Sequence, residues 1–126
     1  MSTGVAFAEH WSGPYTRQTH AMDVSGGCED AAIYQSSGSG IYHLIFHCGC
    51  DYQTLWSTDG YNWKRTTKPQ PFCNVTFSDG SSLPLSTRQR PKWVVAKNGS
   101  LTHLFTGAAG AGIHMGQTFT LAQQLL

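Results

Sequence analysis

The chain repeats a strand–turn–strand pattern at an interval of 60 residues. The first copy runs through Ala31–Tyr34, a Gly-rich turn and Ile41–Phe46, and the second through Pro91–Val94, an Asn-Gly turn and Leu101–Phe105. In both copies a histidine, His43 or His103, stands twelve residues after the start of the first run. Two hairpins per repeat are typical of the four-stranded sheets that form propeller blades.

Strand-like runs recur along the whole chain, and helical periodicity is nearly absent. Turn signals such as Asp59-Gly60 and Asp79-Gly80 separate these runs, and 14 glycines together with 12% aromatic residues fit strands joined by tight turns. Only 121–126 would suit a helix, and it is short. The sequence therefore predicts an all-β domain, with the proline-containing segment 66–87 as a long loop.

The length of the chain limits how many blades it holds. A blade takes roughly 40–60 residues and a closed propeller needs at least four blades, so 126 residues hold about two to two and a half. We expect one partial β-propeller domain: the end of a blade at 1–17, a complete blade at 28–65, the loop 66–87, and a following blade with a C-terminal strand at 88–126. Such a chain would lack N-terminal blades or self-associate to cover exposed faces.

Charge excludes some classes of partner. Eight Lys and Arg against seven Asp and Glu give a net charge of +1, which argues against a nucleic-acid binder, because such proteins need many cationic phosphate contacts. No apolar run approaches the roughly 20 residues that a membrane span needs. We expect neither nucleic acid nor membrane as a partner.

Cysteines and glycosylation motifs point to secretion. Four cysteines allow two disulfides in three connectivities, and we expect Cys48 or Cys50 to pair with Cys28 or Cys73. Two sequons begin at Asn74 and Asn98. The secreted setting without a visible signal peptide suggests that the original N-terminus is missing.

We predict no metal and no cofactor. The Cys48-Gly49-Cys50 spacing is too close for the usual zinc site. A metal site using His43, His47 and Cys48 is the weaker alternative.

Several motifs, taken in order, resemble one family. Cys28–Ala31, Gly40–His47, Ser57–Trp63, Arg88–Trp93 and Thr102–Gly107 resemble segments of the five-bladed β-propeller glycosidases, that is, glycoside hydrolase family 43 and its relatives. The resemblance covers nearly the whole chain and implies that the protein binds or acts on carbohydrate.

The resemblance also implies an incomplete catalytic set. Family members use three acids, and Asp30 matches the one that orients the sugar and tunes the general acid, although Ala31 stands where a proline is usual. Gln89 stands where related sequences favour a glutamate, and an amide cannot donate a catalytic proton. The first acid would lie upstream of Met1. Glycosidase-like hydrolysis is therefore expected only from a complete propeller.

The candidate catalytic residue is Asp30, at the start of the innermost predicted strand. The candidate sugar-binding residues are Glu29, His47, Arg88, Gln89 and Arg90. Strand alternation places Glu29 on the side opposite Asp30. Arg88, Arg90 and Lys92 alternate, which predicts a basic stripe that binds the carboxylates of uronic sugars or pairs with Asp30, or else a solvated edge.

Other polar and aromatic residues have structural interpretations. Asp59 and Asp79 precede glycines and are expected to cap turns, whereas Asp51 fits a loop or a site equally. The histidines fit packing within a blade, and at most one tryptophan is expected to be a sugar platform. Two alternative hypotheses remain: a lectin-like or scaffold module that closes a ring by oligomerising, and a small disulfide-stapled β-sandwich.

Overall fold

Eleven β-strands and no helix make up the described secondary structure. The structure, a computed structural model, describes residues 4–18, 22, 24, 27–66, 70–110 and 118–125. The strands are β1 Ala6–Phe7, β2 Thr16–Arg17, β3 Glu29–Gln35, β4 Tyr42–Cys48, β5 Asp51–Ser57, β6 Lys64–Arg65, β7 Gln70–Pro71, β8 Asn74–Thr76, β9 Ser82–Val95, β10 Leu101–Gly110 and β11 Phe119–Gln124. The predicted all-β class is confirmed. No described segment forms a helix long and apolar enough to cross a membrane.

The strands form three antiparallel sheets. β1 and β2 make a small hairpin; β3, β4, β5 and β6 follow one another in the first large sheet, where β7 also pairs with β5. The second large sheet has the order β11-β10-β9-β8. Within each sheet consecutive strands are neighbours, except that β7 pairs with β5 rather than with β6, and such neighbours are what short turns allow. One of the sheets curls like half of a barrel.

The 60-residue repeat of the sequence reappears in the pairing register. Four pairs between β3 and β4 become pairs between β9 and β10 when 60 is added to both numbers. They are Glu29↔His47 with Gln89↔Gly107, Ala32↔Ile45 with Lys92↔Phe105, Ile33↔Leu44 with Trp93↔Leu104, and Tyr34↔His43 with Val94↔His103. The two large sheets are therefore built on the same hairpin.

One local prediction is wrong and another is confirmed. The segment 66–87 is not one long loop, because β8 pairs with the start of β9 around the Asp79-Gly80 turn, and the two form a hairpin. The predicted C-terminal strand is present as β11, which pairs with β10, so its last residues do not form a helix. The sequence also predicts a strand over 112–115, which lies outside the described residues.

Two apolar clusters lie on opposite faces of β4. Phe46 and Leu44 pack with Cys28 and Leu55 on one face. Ile45 points the other way and packs with Ala32 of β3, with Phe72 in the segment before β8 and with Leu104 of the second large sheet. Alternation along a strand buried on both sides produces this division. The first large sheet is thus covered on both faces.

Two disulfides flank the turn between β4 and β5. Cys28 pairs with Cys48, and Cys50 pairs with Cys73, which is one of the two pairings that the sequence prediction left open. The first bridge joins the beginning of β3 to the end of β4, and the second ties the beginning of β5 to the segment before β8. Together they fix the strand ends next to the candidate site.

Asp59 caps the turn after β5, as expected. Its carboxylate accepts hydrogen bonds from the backbone N–H groups of Tyr61 and Asn62, both at 2.8 Å, and from the Asn62 side chain and the Ser57 hydroxyl. The indole of Trp63 donates to the Gly60 carbonyl across the same turn. The hydrogen bonds from Asn62 and its neighbours hold the pKa of Asp59 well below its usual value.

This lowered pKa predicts an acid-dependent contribution to stability. A carboxyl whose pKa is lower in the folded state stabilises the fold fully above its unfolded pKa of about 4. That contribution is lost as pH falls through the folded pKa. We expect wild-type stability, measured as the urea midpoint, to fall more steeply between about pH 5 and pH 2 than that of Asp59→Asn. Equal pH slopes for the two proteins would contradict the prediction.

Candidate functional site

A β-bulge at the start of β3 brings two consecutive carboxylates to one histidine. Between Glu29 and Ala32, β3 contains one residue more than the facing part of β4. Asp30 occupies the extra position with φ 56°, a left-handed conformation that Asp tolerates better than most residues. The expected opposite orientation of Glu29 and Asp30 is therefore wrong, because the bulge interrupts the alternation.

Glu29, Asp30 and His47 form what we call the carboxylate–histidine cluster. Asp30 Oδ2 lies 3.3 Å from His47 Nδ1, and Glu29 Oε1 lies 3.6 Å from Nε2. The imidazole is buried, while the Glu29 side chain is 57% exposed and that of Asp30 33%. Nδ1 has no aligned hydrogen bond, so its contact with Asp30 is chiefly electrostatic. Two solvent-reachable carboxylates thus converge on one buried ring.

The second large sheet has the same bulge with different side chains. Arg90, 60 residues after Asp30, has φ 54°, and β9 gains one residue between Gln89 and Lys92. The residue opposite Gln89 is Gly107, where the first sheet has His47. The bulge is therefore part of the repeated architecture. Both repeats therefore have a residue with positive φ at this position. The carboxylate–histidine cluster forms only in the first sheet, because only that sheet has Glu29, Asp30 and His47 there.

The arginines do not pair with Asp30, and they do not form a stripe. Both ion pairs found among the described residues involve His47. Arg88 is buried at 4% exposure, whereas Arg90 and Lys92 are exposed. The predicted alternation is wrong because the bulge at Arg90 shifts the strand by one residue. Gln89 is half-buried on β9, outside the cluster.

Arg88 instead connects the second sheet to the segment before β8. Its Nε donates to Thr106 Oγ1 at 3.0 Å, Nη1 to the Phe72 carbonyl at 3.3 Å, and Nη2 to Gln123 Oε1 at 2.9 Å. The guanidinium also lies 4.0 Å from the Phe72 ring centroid. Burial lowers the pKa of Arg88 below its usual value, although an arginine of this kind stays charged at neutral pH.

A cleft of about 820 Å³ opens between the two large sheets. We call it the inter-sheet cleft. Its lining includes Arg88, aromatic side chains and several amides and hydroxyls; those used below are Tyr52, Phe72, Asn74, Arg88, Trp93 and Gln123.

The cluster lies on the sheet face that borders this cleft. Tyr52 lines the cleft and is paired directly opposite His47, and facing residues of an antiparallel pair share a side of the sheet. Ile45, two residues before His47, also lines the cleft. Of the predicted sugar-binding residues, Glu29 and His47 join Asp30, and Arg88 lies in the cleft wall.

Sequence reasoning missed most of the cleft. Phe72 fell within the predicted loop, and Gln123 within the predicted C-terminal strand, where nothing marked it as a site residue. Tyr52 carried no motif. Only their pairing with distant strands brings them together, so no local signal marks them. Trp93 was a candidate platform and does line the cleft.

His43, His103 and the four cysteines fit structural roles. His43 stacks near Tyr34 with ring centroids 6.0 Å apart, and His103 contacts Phe105 edge-on. All four cysteines are in disulfides, so Cys48 is not available to a metal. Within the described ranges no group of three or more His, Cys, Asp or Glu side chains could hold a metal ion.

Comparison with protein-family models, with curated proteins and with solved structures found no match to the chain.

Proposed function

We propose that this protein is a secreted carbohydrate-binding domain of the glycosidase-like β-propeller class. The observation that carries the proposal is the carboxylate–histidine cluster, in which two adjacent acids meet one buried imidazole beside a cleft between sheets. Clefts with aromatic walls and a few polar groups are the usual form of small-molecule sites. Aromatic faces and amide groups suit the apolar faces and hydroxyls of sugar rings.

The partial propeller is supported by repetition. A five-stranded and a four-stranded antiparallel sheet share one hairpin register at a 60-residue interval, and they pack on each other through Ile45 and Leu104. Successive blades of a propeller pack face to face in this way. The extracellular setting is supported by the two disulfides and by the exposed Asn74 and Asn98 of the sequons.

The cluster suits sugar binding better than hydrolysis. Because both carboxylates contact one imidazole ring, the distance between them is no larger than roughly 9.5 Å, the upper limit for the two acids of an inverting glycosidase. Hydrolysis also needs one of them to act as a proton donor to the leaving group. The resemblance places the general acid at position 89, where this chain has Gln89, and an amide cannot donate that proton. In this proposal Asp30 orients a sugar hydroxyl, and Gln89 supplies no acid.

The proposal is tested by titrating the protein calorimetrically with arabinan, xylan and fructan oligosaccharides. We expect one class to bind, and Asp30→Asn to weaken that binding about tenfold or more, because it removes a charge-assisted hydrogen bond. Asp79→Asn is the matched control, since Asp79 caps a distant turn through Ser81. No hydrolysis is expected. Absence of binding to these sugars and to uronic-acid oligosaccharides alike, or equal affinities of wild type and Asp30→Asn for the sugar that binds, would refute the proposal.

A further inference from the structure

Arg88 is a buried cation whose described partners are all neutral. It is 4% exposed, and its three acceptors are a hydroxyl, a backbone carbonyl and a side-chain amide. No Asp or Glu among the described residues forms an ion pair with it. A buried charge normally has a counter-ion, because neutral dipoles only partly replace the water that it loses.

The guanidinium keeps donors for a ligand. Arginine has five N–H groups in a planar fork, and three are engaged by Thr106, Phe72 and Gln123. One N–H on each terminal nitrogen therefore has no described acceptor, and Arg88 lines the inter-sheet cleft. Two N–H groups of one guanidinium match the two oxygens of a carboxylate.

Trp93 provides a second, independent observation in the same cleft. Its Nε1 atom is buried without a hydrogen-bond partner, and the residue lines the cleft together with Arg88. Buried indole N–H groups are usually bonded, so this donor is suited to an acceptor on a ligand. Trp93, with its unpaired buried donor, and the Arg88 cation thus line one cleft of about 820 Å³.

We propose that Arg88 forms a carboxylate subsite in the inter-sheet cleft, and that the ligand is a uronic-acid-containing oligosaccharide. This inference rests on the proposed carbohydrate function and specifies its substrate class. A single guanidinium with two remaining donors matches one carboxylate. The nearby Gln123 amide and the Tyr52 and Trp93 rings match the hydroxyls and faces of the sugar.

The test compares oligogalacturonate with its methyl ester, which keeps the ring and removes the charge. We expect wild type to bind the acid about 10- to 100-fold more tightly than the ester at low salt, as charge-assisted hydrogen bonds would give. Arg88→Lys keeps the positive charge but removes the planar pair of N–H donors that matches a carboxylate. We expect this variant to lose most of the preference for the acid over the ester. Trp93→Phe is expected to weaken both ligands.

Arg88 variants could fail to fold, so a second variant leaves the arginine in place. Gln123→Glu puts a carboxylate on Nη2 of Arg88, because Gln123 Oε1 already accepts from it at 2.9 Å, and Gln123 itself is exposed. The internal carboxylate should compete with the ligand and abolish the preference for the acid without loss of stability. Lys92→Gln makes the same change in net charge at an exposed position of β9 and should leave the preference intact.

The outcomes separate the inference from the proposed function. Equal affinity for acid and ester, or a preference that survives Gln123→Glu, overturns the carboxylate subsite while sugar binding stands. Binding of a sulfated sugar in place of the uronate also overturns it. If neither acid nor ester binds, and the neutral arabinan, xylan and fructan oligosaccharides do not bind either, the proposed function fails together with the subsite.

Discussion

Removing the Cys28–Cys48 disulfide is expected to lower the free energy of unfolding by about 3 kcal/mol and to loosen the carboxylate–histidine cluster. The bridged cysteines are 20 residues apart, and the loss of a cross-link of that length frees the unfolded chain. The bridge also stands one residue from Glu29 and one from His47, which are paired across β3 and β4. Without it, the end of this hairpin has fewer constraints on its register.

The measurement is urea unfolding of Cys28→Ala/Cys48→Ala, together with the NMR signals of the His47 ring. The matched control is Cys50→Ala/Cys73→Ala, because that bridge joins cysteines 23 residues apart and should cost a similar free energy. Only the first double variant is expected to shift the His47 ring signals strongly. If both variants shift them equally, the Cys28–Cys48 bridge has no special role in positioning the cluster.

Replacing Gly99 with alanine is expected to destabilise the protein by about 2–4 kcal/mol, from backbone strain and overpacking together. Gly99 has φ 84°, and an added Cβ would lie 2.6 Å from Ser37 Cβ and closer still to Ser37 Oγ. The Tyr34 hydroxyl also donates to the Gly99 carbonyl at 2.6 Å. The two repeated hairpin turns therefore meet here with no room for a side chain.

Gly80 supplies the matched control for this prediction. It has the same φ of 84°, in an Asp-Gly-Ser turn resembling Asn98-Gly99-Ser100, and nothing lies within 4 Å of its added Cβ. Gly80→Ala should therefore cost only the backbone strain, about 1–2 kcal/mol. Adding Ser37→Gly to Gly99→Ala should recover the packing part in a double-mutant cycle. Equal costs for the two alanine variants in chemical denaturation would contradict the contact between the turns.

Local signals were sufficient for the strand content and for the turns. The Asp59-Gly60 signal fixed the turn that Ser57 and Asn62 complete, because its hydrogen bonds span at most three residues. The hairpin repeat was visible for the same reason, since each copy needs only its own strands and turn. The cysteine count and spacing left two pairings open, and the structure contains one of them, Cys28–Cys48 with Cys50–Cys73.

The candidate site was only partly predictable from the sequence. Asp30 was recognised by its motif, and the structure places it against His47. Glu29 was predicted to bind sugar, but on the side of the strand opposite Asp30. The sequence did not predict that both carboxylates contact His47, because a bulge changes the side to which a side chain points and depends on the register of two strands. Glu29 and His47 are paired across β3 and β4. No pattern within the sequence of either strand indicates this pairing.

The sequence by itself determined an all-β chain, its turns and its repeated hairpin, because these depend on residues that are close along the chain. Only the tertiary structure decided which side chains meet: the bulge that joins Glu29 and Asp30 at His47, and the burial of Arg88. The sequence predicts Arg88 as one of three alternating cations on one side of a strand. In the structure, the bulge in β9 and the pairing of β11 with β10 place it next to Phe72 and Gln123. The physical reason is that register and burial depend on contacts between distant segments, and one displaced residue reverses the face of a strand.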